Sequence, residues 1–105
     1  MSAPEASWHR IENKIAFVAA IADRPLKGDG LRFQIHADGK ISGQVGTETL
    51  AGEWHWENGF FCRTAWLEGE SLGLDCEIIE IRGAEMRYTR NMGRGDASVV
   101  TIGPR

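Results

Sequence analysis

Leu50-Ala51-Gly52-Glu53-Trp54-His55-Trp56-Glu57-Asn58-Gly59-Phe60-Phe61-Cys62-Arg63-Thr64-Ala65-Trp66-Leu67 reads as a β-hairpin. Leu50, Gly52, Trp54 and Trp56 alternate with Ala51, Glu53 and His55, which is the period-two signature of a strand with two unlike faces. Asn58-Gly59 supplies the two residues that accept positive φ in a type I′ turn. Beyond it Phe60, Cys62, Thr64 and Trp66 alternate with Phe61, Arg63, Ala65 and Leu67. On this reading Trp54, Trp56 and Trp66 share the core face with Phe60, Leu72 and Leu74, and Arg63 stands on the face away from Cys62.

The same texture extends in both directions. Upstream, Leu31, Phe33 and Ile35 alternate with polar residues, and Asp38-Gly39 signals a turn before Ile41, Gly43 and Val45. Downstream, Leu72, Leu74, Cys76 and Ile78 follow the Glu68-Gly69-Glu70 turn, Met86 to Arg90 follows Gly83, and Ala97 to Ile102 ends the pattern. These make about seven antiparallel strands over roughly 31–103. Ahead of them, Trp8, Ile11, Ile15, Val18 and Ala22 recur at spacings of three and four, which predicts a helix over about 5–23. Ser2 with Glu5 would form its capping box, Ser7 is a later N-cap candidate, and Pro25 would stop it near Asp23. The fold class is therefore mainly β: an N-terminal helix, then a meander that forms a small up-and-down barrel or a strongly curled, calycin-like sheet. The helix would plug one end or cover an edge. Ile78-Ile79-Glu80-Ile81 is apolar on both faces, which places the helix over that run.

With 105 residues, 42% of them hydrophobic and 26% charged, the chain specifies one domain that folds alone. A formal charge of -3 gives no general pull towards nucleic acid. The best apolar run, Ile15 to Ala22, is too short for a membrane span. Met1 to Ala6 lacks a basic start followed by an apolar stretch, so no intact leader is expected in the chain as written.

Two cysteines carry the sharpest signal. A hairpin centred on Gly69 sets Cys62 opposite Cys76, Phe60 opposite Ile78, Thr64 opposite Leu74 and Trp66 opposite Leu72. A disulfide can span such a pair, and closing a loop of this length contributes roughly 3 kcal/mol on the chain-entropy view. The alternative is two reduced cysteines on the core face. No C-x-x-C occurs, so a metal or redox role is not expected.

Gly52-Glu53-Trp54-His55-Trp56-Glu57-Asn58-Gly59-Phe60-Phe61-Cys62-Arg63, followed by Gly73-Leu74-Asp75-Cys76, resembles a family of small bacterial proteins of unassigned function that are usually exported. Its members pair a G-x-W-x-W-x-x-G-x-F-C-R segment with a second cysteine about fourteen residues on. Asp23-Arg24-Pro25-Leu26 and the turn from Asp38 to Gly43 extend the likeness. With the cysteine pair, this resemblance implies a periplasmic or secreted protein, the cytoplasm being the alternative. Some members are labelled dihydrodipicolinate reductase. That chemistry needs a strand-turn-helix with G-x-G-x-x-G, whereas Gly28-Asp29-Gly30 and Gly93-Arg94-Gly95 each hold only the first two glycines. No nicotinamide or other cofactor is expected.

His9, His36 and His55 are scattered without ligand spacing, so no metal site is expected. The acidic arm Glu68, Glu70, Asp75, Glu77 and Glu80 precedes Arg82, Arg87, Arg90 and Arg94, which suggests cross-strand ion pairs, the alternative being an Arg-lined anion site. No nucleophile elbow, triad or phosphate loop is visible. The leading expectation is a non-enzymatic module of the cell envelope that binds a small apolar-anionic ligand or another protein. Trp54, Trp56 and Trp66 would touch the apolar part at the barrel mouth and Arg63 the anionic part, with Glu53, Glu77, an anion or water as partner to Arg63. One alternative is a small barrel isomerase or lyase using His55 or Glu53 as base beside Arg63. Another is a structural homodimer joined through an open edge strand. A deep pocket holding a perturbed titratable group would favour the enzyme.

Overall fold

The computed structural model describes residues 7–105. Nine strands are present among them: β1 (His9–Arg10), β2 (Leu26–Gly28), β3 (Leu31–Ile35), β4 (Lys40–Val45), β5 (Glu48–Glu57), β6 (Phe60–Leu67), β7 (Glu70–Arg82), β8 (Glu85–Thr89) and β9 (Ala97–Ile102). β2 to β9 run as an antiparallel meander, each strand pairing with the next except across the β2 and β9 seam. There Leu26 and Lys27 pair with Ile102 and Thr101, which closes an eight-stranded barrel. The choice between barrel and curled sheet thus falls to the barrel, and β2 and the two-residue β1 add to the seven expected strands.

The helix α1 spans Lys14–Ile21, much shorter than the expected 5–23. Asn13 caps it, its side-chain oxygen accepting from the Ala16 backbone N–H at 2.8 Å, so Trp8 and Ile11 lie outside it and Ser7 is not its cap. The expected Ser2 and Glu5 capping box lies outside the described residues. The buried stripe is Phe17 and Ile21, while Ile15 is 85% exposed. Lys14–Ile21 is apolar nearly all round, so periodicity could not choose the face. Phe17 enters the barrel end, its ring 5.2 Å from those of Trp54, Trp56 and Phe61. The Arg105 guanidinium donates to the Val18, Ala19 and Ala22 carbonyls and satisfies the free end of α1.

Alternation sets the walls. Leu31, Phe33 and Ile35 point inward from β3, opposite Val45, Gly43 and Ile41. In β5 and β6, Trp54 pairs with Arg63, Trp56 with Phe61 and Gly52 with Ala65. In β7 the inner residues are Asp75, Glu77, Ile79 and Ile81, while Ile78 packs outside against the Gly93 turn and Glu80 pairs with Arg87 at 2.9 Å. The second apolar face of Ile78-Ile79-Glu80-Ile81 is therefore covered by the turn after β8 and not by α1. Trp8 lies over the Arg82 and Arg87 guanidiniums on the same outer wall.

The disulfide joins Cys62 and Cys76, which stand directly opposite with Cα atoms 4.0 Å apart. Thr64 faces Leu74 as expected, but the register shifts after Ala65, so Trp66 faces Ser71 and Leu72 is the bulged residue. This bulge sits where the β6 and β7 hairpin runs past the rim, leaving Leu72 and Leu74 exposed.

Candidate functional site

α1 fills one end of the barrel, and the other end holds a cavity of about 200 Å³. Its origin lies in small side chains. Gly52, Ala65 and Gly73 are neighbours across β5, β6 and β7, so this row puts almost no volume on the inner wall. Around it stand Leu31, Phe33 and Ile35 from β3, Ile41 and Val45 from β4, and Met86 and Tyr88 from β8. Among the residues lining the cavity, Arg63, Glu77 and Arg90 are the charged ones.

These three groups form a chain with Asp75. An Arg63 Nη2 lies 3.7 Å from Glu77 Oε2, and Arg63 Nη1 donates to the Gly73 carbonyl at 3.0 Å. Glu77 is 3% exposed. Burial pushes its carboxyl up from 4.5 to about 7; the Arg63 and Arg90 charges oppose the rise and Asp75 adds to it, through its charge and a hydrogen bond. Asp75 accepts from the Asn91 backbone N–H at 3.0 Å. Arg90 donates to the Asp96 carbonyl and the Ser98 hydroxyl and lies 5.1 Å from the Tyr88 ring centroid. Asn91, Met92 and Gly93 all have positive φ in the turn that carries this end of the wall.

Of the four residues expected to hold a ligand, Arg63 lines the cavity. Trp54 and Trp56 point inward as well, but at the end closed by α1, where they pack on Phe17 and do not line the cavity; the Trp54 indole N–H donates to the His36 carbonyl at 2.8 Å. Trp66 is on the outer face with Phe60 and Cys62, opposite Ala51, so it does not share a face with Trp54 and Trp56. The premise that Arg63 faces away from the two tryptophans is corrected with it: Arg63 pairs with Trp54 on the inner face. The partner named for Arg63 among four, Glu77, is the one it meets.

His55 and Glu53 face outward, opposite Cys62 and Thr64, so neither is brought to Arg63. His55, Glu57 and Cys62 place donor atoms within 4.8 Å of one another among the described residues, but the Cys62 sulfur is bonded to Cys76 and offers no thiolate. Tyr88 and Arg90 also line the cavity and lie outside the four residues expected to hold a ligand. Their signal was the alternation of Met86, Tyr88 and Arg90 on a strand following the Glu77, Ile79 and Ile81 series.

Among the described residues no helix is long and apolar enough to cross a membrane. Comparisons with protein-family models, with curated proteins and with solved structures find no match to this chain.

Proposed function

We propose that this chain is a non-enzymatic binding module of the cell envelope that takes a small apolar molecule bearing an anionic group into the open end of its barrel. The observation that carries the reading is the apolar cavity with Arg63 and Glu77 set into its wall. A closed eight-stranded barrel of this kind can be filled entirely by side chains or can hold one small ligand. Here the row of small residues leaves space, and the half-buried Arg63 guanidinium beside it is an anchor for a carboxylate or similar head. About 200 Å³ suits a ligand of on the order of ten non-hydrogen atoms at protein packing density. The Cys62–Cys76 bridge and the likeness of the tryptophan and cysteine segment to an exported bacterial family favour the periplasm or cell exterior.

Amide NMR titration with octanoate tests this. Shifts should cluster at Leu31, Ala65, Glu77 and Tyr88 and spare Trp66. Arg63→Ala should weaken binding while leaving the melting temperature at pH 6 nearly unchanged, because Glu77 is then protonated and needs no cation. Shifts absent for octanoate and for 1-octanol would sink the proposal.

A second reading is favoured by Glu77, a buried carboxyl titrating near neutrality in a cavity, which is the feature a proton-transfer enzyme needs. In that case Glu77, and not His55 or Glu53, is the base, and a bound ligand would be converted over time by the wild type but not by Glu77→Gln.

A further inference from the structure

The charges on the inner wall limit what the cavity can accept. Arg63 from β6, Asp75 from β7 and Arg90 from the turn after β8 are the ionisable groups gathered around Glu77, and Tyr88 from β8 lines the same cavity. With Glu77 ionised, two positive and two negative charges cancel. Adding one carboxylate to this set leaves a net negative charge in a mostly apolar enclosure, which is costly. Adding the carboxylate together with one proton restores neutrality. Adding a dianion does not, even with that proton.

We infer that the cavity takes up an apolar monocarboxylic acid together with one proton, the ligand carboxylate replacing Glu77 as the partner of Arg63 while Glu77 carries the proton. The inference rests on the binding reading above and names its ligand class. The geometry supports the exchange. Arg63 Nη1 is already held by the Gly73 carbonyl, so the guanidinium stays in place when Nη2 changes partner. At 3.7 Å the contact from Nη2 to Glu77 is longer than a charge-assisted hydrogen bond, which leaves a better position for an incoming oxygen. The protonated Glu77 has an acceptor at hand in Asp75, two residues away on the same face of β7, which is itself fixed by the Asn91 N–H. The only covalent change is the O–H bond formed on Glu77, and its proton comes from solvent.

Calorimetric titration of the disulfide-intact protein decides the matter, using octanoate, 1-octanol, octylamine and octyl phosphate between pH 6 and 8.5, in buffers of differing ionisation enthalpy. Octanoate should bind tightest, with uptake of about one proton at pH 8, and its affinity should fall about tenfold per pH unit above the Glu77 titration. Octyl phosphate, a dianion at pH 8, should bind at least tenfold more weakly than octanoate. Glu77→Gln should bind octanoate with no pH dependence over this range. Octanoate binding without proton uptake, octyl phosphate binding as tightly as octanoate, or an undiminished pH dependence in Glu77→Gln would overturn the inference while leaving a binding cavity. If none of the four probes binds, the binding reading itself fails. The proton count on the wild-type protein needs no variant, so an unfolded Glu77→Gln does not block the test.

Discussion

Inside the barrel the Arg63 guanidinium lies 3.7 Å from the Glu77 carboxylate along a diagonal of the β6 and β7 pair, in which Arg63 faces Asp75 and Phe61 faces Glu77. Burial outweighs the attraction of Arg63, so the Glu77 carboxyl titrates at about 7 in the folded protein against 4.5 ordinarily. Between those values the folded chain holds a proton that the unfolded chain has released. The contribution of Glu77 to stability is therefore fully present below 4.5 and is lost as pH rises through 7, by on the order of 3 kcal/mol. Urea midpoints at pH 5 and pH 8 should differ accordingly, and Glu77→Gln should flatten the difference. An equal pH slope in both proteins would show that Glu77 is not its source.

Phe17 and Ile15 separate the two possible faces of α1. Phe17 is fully buried against the rings of Trp54, Trp56 and Phe61, so Phe17→Ala should cost about 3 to 5 kcal/mol. Ile15 is exposed, and Ile15→Ala should change stability by less than about 0.5 kcal/mol. Chemical denaturation of the two variants reads this directly. The reverse order would mean that α1 is rotated and that the barrel end is closed by other groups.

The inward parity of β3, β4 and β5 could be read from sequence, since Leu31, Phe33 and Ile35, Ile41 and Val45, and Leu50 and Trp54 face the interior as their alternation predicts, whereas β6 and β7 turn the opposite parity inward. Trp66 continues the series of Phe60 and Cys62 without a break, but that whole series faces outward, where Cys62 is buried locally beside its bridge. The inner series is Phe61, Arg63 and Ala65, and a charged residue in the middle disguised it. The cavity itself could not be read, because it depends on Gly52, Ala65 and Gly73 falling side by side on three strands, which needs the register of two hairpins at once. The short strand β2 has too few residues to show alternation, yet it closes the barrel.

The Cys62–Cys76 bridge ties the middle of β6 to the middle of β7, close to the segment that positions Arg63 and Glu77. Cys62→Ser with Cys76→Ser should lower stability by about 3 kcal/mol on the loop-closure view. Intact mass after alkylation without reductant should show no free thiol in protein from its own compartment. Two alkylated cysteines there would argue that the bridge does not form where the protein resides, and would remove the support it lends to an envelope location.

Gly52, the first residue of the tryptophan segment, is there for backbone packing. A Cβ at this position would come within 2.5 Å of the Thr64 carbonyl oxygen and 3.3 Å of the Ala65 Cα. Both neighbours are main chain of β6, so no side chain can swing aside, and β5 and β6 would have to separate. That displacement would also reach Arg63, one residue from Thr64. Gly52→Ala should therefore destabilise the protein by roughly 1 to 3 kcal/mol, despite adding only a methyl group. Ala51→Ser, at the adjacent exposed position on the same strand, should change stability by less than about 0.5 kcal/mol. If Gly52→Ala is as benign as Ala51→Ser, β5 and β6 are not in this close contact, and the row of small residues that opens the cavity is not held as described.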